Sequence, residues 1–311
     1  MIETQNLSKA FHDFWAVDDI NLNVEPGQIL ALLGQNGAGK TTTIRMLTGL
    51  LRPTRGWARI NGHDVIEEPT AIRASVGVLT EQHGLYLRMT AEEYLDFFGK
   101  VYDLDADARK KRSNYLLDYF GLAKSANRRI GEYSKGMRQK LALARTLIHE
   151  PGVLLLDEPT SAMDPESARL VRDEIGNLRS SQRAIVICTH NLMEAEVLAD
   201  RIAIIYQGKI LMNGKLSDLK REVLGAPEYE IVFSQAWDMN NLNLPSAVEV
   251  TEKTASKLTF RVAAPDKVNP IILRELSKQN APVMALQKKS RSLEQVYLKV
   301  MADVQGKGGI Q

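Results

Sequence analysis

Two kinds of apolar pattern alternate along the first part of the chain. "INLNV" alternates apolar and polar positions, "EPGQ" breaks the pattern, and "ILALLG" is a continuous apolar run. Alternation with a period of two marks a strand with one wet face, whereas an unbroken run of this length bounded by turns marks a strand buried on both faces. The continuous pattern returns in "GVLLLDEP", "AIVICTH" and "RIAIIYQGKILMNG", with a helical stretch near residues 165 to 179 between the first two, the order expected of parallel strand units. A helix through "KTTTIRMLTGLL" follows the first buried strand, and "RPTRG" then turns into "WARINGHDV", where Asn61-Gly62 is a strong hairpin signal. From about Leu85 to Ser134 the period becomes helical, through "TAEEYLDFFGKVY" and "DADARKKRSNYLLDYFGL", which predicts an inserted helical region at about residues 85–135.

The pattern breaks at "REVLGAPEYE", punctuated by Gly225 and Pro227. Beyond it "YEIVF", "AVEVTE" and "KLTFRVA" read as strands, "VNPIILRELSKQ" as an amphipathic helix, "PVMALQK" as a strand and "SLEQVYLKVM" as a last helix. The expectation is an α/β domain over residues 1–222 and a small α+β domain over residues 228–304, with the tail "QGKGGIQ" frayed. No internal repeat is seen, so each motif below occurs once per chain.

Composition narrows the function classes. A balance of 40 basic against 38 acidic residues, net +2, argues against a mainly electrostatic nucleic-acid binder. The one basic run, "RKKR" at residues 109–112, reads as a solvated helix face. A single cysteine, Cys188, excludes an internal disulfide and a cysteine-rich metal site, and within "AIVICTH" it reads as a small buried side chain. "MIETQNLSKAF" lacks a basic start followed by an apolar stretch, and no apolar run approaches the roughly 18 residues needed to span a bilayer. The chain is therefore expected to be cytosolic, with any membrane role borrowed from a partner.

Chemistry enters at "GQNGAGKT", Gly34 to Thr41, which fits G-x-x-x-x-G-K-[ST] between a predicted buried strand and a helix. The glycines let backbone N–H groups curl around phosphates, the helix start favours an anion, Lys40 reaches the β- and γ-phosphates, and the Thr41 hydroxyl suits Mg²⁺. "VLLLDEP" ends a second buried strand in two carboxylates that point different ways. Asp157 is the natural Mg²⁺ partner, and Glu158 is the natural general base for an attacking water. Alone, such a strand end reads as solvated charge; beside "GQNGAGKT" it reads as part of a site. His190 lies 33 residues beyond Asp157, after a return strand, where it can bind a γ-phosphate and hold the water and Glu158 in place. His12, His63, His83 and His149 lack metal-ligand spacing and read as surface or packing residues.

In this order "GQNGAGKT", "YSKGM", "VLLLDEP", "SAMD" and "CTH" resemble the ABC transporter ATPase family over about residues 1–220. The resemblance implies an α/β P-loop ABC ATPase domain with an inserted helical subdomain, plus a small α+β C-terminal domain, acting with ATP and Mg²⁺. By the same resemblance, nucleotide contacts fall to Gly34, Asn36, Gly37, Ala38, Gly39, Lys40, Thr41 and Thr42, metal binding to Thr41 and Asp157, and catalysis to Glu158 and His190. Phe11 matches the aromatic that stacks on adenine, with plain packing as its rival reading. Ser134 and Gly136 match the residues that bind the γ-phosphate of ATP held by the opposite subunit, and Asp164 matches the loop linking the two sites. Lys135 and Met137 replace the usual glycine and glutamine of the signature. The glutamine that contacts Mg²⁺ and the membrane partner falls by counting at Glu81, with Gln82 one residue later; Gln82 is carried and Glu81 stays open.

"YSKGMRQ" and the C-terminal domain look most like ATP-binding subunits of drug-, sodium- or polysaccharide-type exporters. The resemblance implies a homodimer or heterodimer of ATPase subunits driving an integral membrane permease, peripheral on the inner face of the cell membrane, with no direct nucleic-acid contact. Tyr86, Leu87 and Phe97 suit docking of a permease helix, and core packing suits them equally. One rival, a soluble ABC ATPase acting on a ribosome or nucleic-acid machine, usually brings two cassettes, coiled coils or basic arms, none of which is visible. A second, a phosphate-loop kinase, has no need of "YSKGM".

Overall fold

Strands apolar on both faces need a packed layer on each side. The computed structural model describes residues 1–239 and 242–308, and the chain forms two compact units that meet between Leu216 and Ser217 in the sequence. The first unit runs β1 (Ile2–Phe11), β2 (Phe14–Val24), β3 (Ile29–Leu33), α1 (Lys40–Leu47), β4 (Arg55–Ile60), β5 (His63–Asp64), α2 (Pro69–Ser75), β6 (Val76–Leu79), α3 (Ala91–Val101), α4 (Ala106–Tyr119) and α5 (Lys135–Thr146). It continues through β7 (Val153–Asp157), α6 (Pro165–Asn177), β8 (Ala184–Thr189), α7 (Leu192–Leu198), β9 (Arg201–Tyr206) and β10 (Lys209–Gly214).

Its central sheet has the order β10-β9-β3-β8-β7-β6, parallel from β9 to β6 with β10 added antiparallel at the edge. Successive strand side chains point to opposite faces, so one strand feeds two cores. Leu154 and Leu156 of β7 join Tyr94, Phe120 and Leu141 on the helical side, while Val153 and Leu155 join Leu32, Ile44 and Ile60 on the other. Each such buried side chain contributes on the order of 1.5–3 kcal/mol. The second core is closed by the sheet β2-β1-β4-β5. Asn61 and Gly62, with φ of 53° and 85°, supply the two left-handed residues that the tight β4–β5 hairpin requires. Cys188 is fully buried in β8, and burial pushes its thiol well above the usual range.

The helical region is fixed at its entry by Thr90 and Glu93: Thr90 Oγ1 accepts from the Glu93 N–H and the Glu93 carboxylate accepts from the Thr90 N–H, a reciprocal cap. "RKKR" is not one solvated face. Arg109 and Arg112 turn inward, onto Asp96 at 2.7 Å and the Leu147 carbonyl at 2.8 Å, while Lys110 and Lys111 stay exposed. Long arginine stems can lie along apolar surface while the guanidinium reaches an acceptor at its edge.

The topology places the chemistry. Leu33 pairs with Thr189 and Asp157 with Cys188, so the segments leaving β3, β7 and β8 emerge side by side at one end of the parallel sheet.

In the second unit, which α8 (Leu216–Leu224) leads into, β11 (Glu228–Phe233), β12 (Val248–Thr254), β13 (Lys257–Val262) and β14 (Val283–Lys288) form an antiparallel sheet in the order β12-β13-β11-β14. Ile231, Phe233, Leu258 and Phe260 on one face pack against Val268, Ile272 and Leu276 of α9 (Pro265–Lys278). The other face carries ion pairs, with Lys257 at 2.5 Å from Glu230. The last helix, α10, covers Leu293–Gly308, and residues 309–311 of the tail lie outside the described residues. Among the described residues no helix is long and apolar enough to cross a membrane.

Candidate functional site

The loop after β3 depends on backbone that only glycine adopts cheaply. Gly37 and Gly39 have φ of 81° and 110°, and a Cβ on Gly39 would stand 2.6 Å from the Ala16 carbonyl oxygen. The loop turns directly into α1, whose first residue is Lys40. Lys40 folds back over it: Nζ donates to the carbonyls of Gly34 (2.7 Å) and Gln35 (3.2 Å) and pairs with Glu158 Oε1 at 3.2 Å.

Thr41 Oγ1 donates to Asp157 Oδ2 at 2.8 Å. The other oxygen, Oδ1, is buried and has no hydrogen-bond partner. Burial pushes the Asp157 carboxyl above its usual range, and the neighbouring Glu158 and Glu81 charges add to this, against the Thr41 hydroxyl and the Lys40 charge. A hydroxyl beside a carboxylate with one orphaned oxygen is the hard oxygen chemistry that Mg²⁺ takes, so these residues fit that ion.

Glu158 continues the strand ladder by donating its N–H to the Cys188 carbonyl at 2.8 Å, yet its φ is 50°. A left-handed non-glycine residue costs about 1–3 kcal/mol, and such strain gathers at working sites. The carboxylate is thereby set between two nitrogen partners, with Oε2 at 2.8 Å from His190 Nδ1 and Oε1 toward the Lys40 ammonium.

A cavity of about 400 Å³ is lined by Phe11, Phe14, Ala16, Asn36, Gly37, Gly39, Lys40, Thr41, Thr42, Glu81 and Glu158. Aromatic rings at one part of the wall and a cationic glycine loop at another suit a flat base joined to a polyphosphate. Most sequence-predicted residues meet here. Gly34 joins through its carbonyl on Lys40, Asp157 through Thr41, His190 through Glu158, and Ala38 is buried within the same loop. Glu81 lines the cavity, and Gln82 does not: Gln82 is exposed, with its carbonyl bound by the Thr80 hydroxyl at 2.6 Å.

Ser134, Gly136 and Asp164 are not in this cavity wall. Ser134 caps α5, its Oγ accepting from the Met137 N–H at 3.2 Å, and Gly136 faces Ser167 and Met163. Asp164 caps α6 by accepting from the Ser167 N–H at 2.9 Å, and hydrogen bonding from the Ser167 side chain, with this N–H second, holds its carboxyl below the usual range. Tyr86, Leu87 and Phe97 are exposed, and Tyr86 meets Tyr94 and Phe97 edge-on at 6.0 and 5.8 Å.

Several supports of the site carry no motif in the sequence. Arg145, in the last turn of α5, donates to the carbonyls of His83 (2.7 Å) and Val78 (3.2 Å), fastening the segment that carries Glu81. Gln139 Nε2 donates to the Pro159 carbonyl at 2.5 Å, and the Lys135 ammonium donates to the Ala162 carbonyl. Thr160 Oγ1 donates to buried Glu194. The signal in the sequence was a polar residue on a core-facing helical position, as Gln139 and Glu194 both are.

A family model described as ABC transporter matches residues 17–161, and one described as ATP-binding protein DrrA1-3-like, C-terminal domain, matches residues 214–301. The ABC transporter ATP-binding protein NatA of Bacillus subtilis (strain 168) is 40% identical over 224 residues, covering 70% of this chain and 91% of that protein. The daunorubicin resistance ATP-binding protein DrrA3 of Streptomyces coeruleorubidus is 33% identical over 307 residues, covering 97% of this chain and 96% of that one. Among solved structures, the dimeric post-hydrolysis state of the ATP-binding cassette MJ0796 bound to ADP and Pi matches with a TM-score of 0.63 and 26% identity, over 70% of this chain and 99% of that one. These similarities give no support to a ribosomal or nucleic-acid role. The chain, with its phosphate loop and Glu158 on one cavity, belongs to the ABC transporter ATP-binding proteins, as an ATP-hydrolysing subunit.

Proposed function

We propose that the chain binds ATP with Mg²⁺ in the cavity beside β3, closes on a second ATPase subunit, and drives a membrane permease that exports a drug-like molecule. The observation that carries the chemistry is the Glu158 carboxylate set between Lys40 and His190 at a buried strand end. Phe11 stacks on the base, and the Gly34 to Thr42 loop cradles the phosphates. Thr41 and Asp157 would hold Mg²⁺, which would supply positive charge against the developing phosphate charge. The γ-phosphate competes for Lys40 Nζ, leaving Glu158 Oε1 to accept the proton of the attacking water while His190 holds Oε2. The water oxygen bonds to the γ-phosphorus as the bond to the ADP oxygen breaks, and Glu158 passes its proton to solvent afterwards.

Ser134 and Gly136 supply the helix start of α5 to the γ-phosphate on the partner subunit, a positive dipole end facing an anion. Asp164 sits in the loop between the two sites. Loss of the γ-phosphate removes that bridge, and the pair reopens. The exposed Tyr86, Leu87 and Phe97 suit a cytoplasmic helix of the permease, through which the chain is held at the membrane. Export is supported by the likeness to a daunorubicin resistance ATP-binding protein along nearly the whole chain. Residues 1–222 form the ATPase module and 228–304 a separate module, a division supported by the two compact units that part after Leu216.

The test is to tag the Glu158→Gln chain, add ATP and Mg²⁺, and identify what copurifies from solubilised membranes. A stoichiometric multi-span protein supports the transporter reading. Recovery of ribosomes or nucleic acid alone overturns it.

A further inference from the structure

Glu194 is fully buried in α7, yet only one of its carboxyl oxygens is bonded. Oε1 accepts from Thr160 Oγ1 at 2.9 Å, and Oε2 has no hydrogen-bond partner. Burial pushes this carboxyl above the usual range, helped by the nearby Glu158 charge and opposed by the Thr189 and Thr160 hydroxyls. A buried polar group left partly unsatisfied is destabilising, a cost that an apolar side chain of similar volume avoids. The buried Thr160 and Thr189 hydroxyls gain an acceptor from this carboxyl, yet the unbonded Oε2 makes fold stability a weak reason for its presence.

The connections give one. Thr160 lies two residues after Glu158, and Glu194 lies four after His190. Asn191, next to His190, anchors the same helix start: its Oδ1 accepts from the N–H groups of Met193 (3.0 Å) and Glu194 (3.3 Å), and its own N–H donates to Thr189 Oγ1 at 3.0 Å. Between Glu158 and Thr160, Pro159 is tied to α5 by Gln139. The segments that carry Glu158 and His190 are thus joined twice, once by the Glu158–His190 contact at 2.8 Å and once, behind it, by Thr160 and Glu194.

We propose that Glu194 is a positioning residue for hydrolysis, fixing through Thr160 the register between the Glu158 strand end and the His190 segment. This rests on the roles given above to Glu158 and His190. Glu194 does not line the nucleotide cavity, so its loss acts on turnover and spares nucleotide binding.

The test compares kcat, KM for ATP and thermal midpoint for Thr160→Val, Glu194→Leu, Glu194→Gln and Glu158→Gln. Thr160→Val keeps the shape of the side chain and removes the bond. Misplacement of a catalytic pair by a fraction of an ångström lowers turnover by about tenfold or more. Thr160→Val and Glu194→Leu are expected to show that loss of kcat with KM and thermal midpoint held, and Glu194→Gln, which still accepts from Thr160, to recover most of it. Wild-type kcat in both Thr160→Val and Glu194→Leu, or a loss of kcat that only tracks a loss of thermal stability, overturns the proposal. Glu158→Gln separates the two levels. If it is inactive while the Thr160 and Glu194 variants turn over normally, only the positioning role fails; if Glu158→Gln turns over normally, the catalytic reading fails and takes this proposal with it.

Discussion

Nδ1 of His190 lies 2.8 Å from Oε2 of Glu158, although the two residues leave different strands. The contact follows from the adjacency of β7 and β8 and from the left-handed backbone at Glu158. With the Lys40 ammonium 3.2 Å from the other oxygen, the buried carboxylate keeps a charge partner, the condition under which a charge tolerates burial.

Glu158→Gln keeps the shape and removes the proposed base. Phosphate release at saturating ATP is expected to fall by about 100-fold or more, with ATP binding retained. Loss of binding together with turnover would assign Glu158 a structural role instead.

His190→Ala leaves Glu158 paired with Lys40 alone. Turnover is expected to fall by about 100-fold while the Kd for ATP changes little, because the role proposed for His190 is to hold the Glu158 carboxylate on the attacking water. Equal losses in binding and turnover would contradict that division.

Gly39→Ala forces a side chain onto φ of 110° and against the Ala16 carbonyl. The strain is expected to cost about 1–3 kcal/mol and to abolish nucleotide binding. Thermal unfolding and an ATP-binding titration check the two effects separately.

His149 stacks on Tyr102 at 3.7 Å, and burial lowers its pKa from 6.5 to about 4, against the Val76 carbonyl hydrogen bond. Between those values the unfolded chain takes a proton that the folded chain refuses. This contribution is therefore complete above about pH 6.5 and drains away as the pH falls toward 4. Allowing for solvent screening at a partly exposed ring, the loss is on the order of 1–2 kcal/mol. Urea unfolding near pH 7 and near pH 5 is expected to show a smaller pH dependence in His149→Gln than in the wild type.

What the sequence made legible were features encoded by neighbouring residues. "GQNGAGKT" specifies its own loop because glycines at fixed offsets set the backbone, and "VLLLDE" specifies a buried strand with its charges at the end. Glu81 and Gln82 could not be separated, since which of them faces the cavity depends on a turn closed by the Thr80 hydroxyl. Gln139, Thr160 and Glu194 escaped notice because their partners lie 20 or 34 residues away and are set by packing rather than by period. The inward turn of Arg109 and Arg112 was hidden for the same reason: a run of like charges does not reveal which members find acceptors on neighbouring helices.

Completion of each ATP site by Ser134 and Gly136 of a second subunit can be tested by mixing two inactive chains. Lys40→Ala disables the phosphate loop, and Gly136→Asp disables the signature turn. In a mixed pair one site combines the intact loop of one chain with the intact turn of the other. The mixture is expected to hydrolyse ATP while neither variant does so alone. A mixture as inactive as its components, with both variants folded and pairing, would contradict a site shared between subunits.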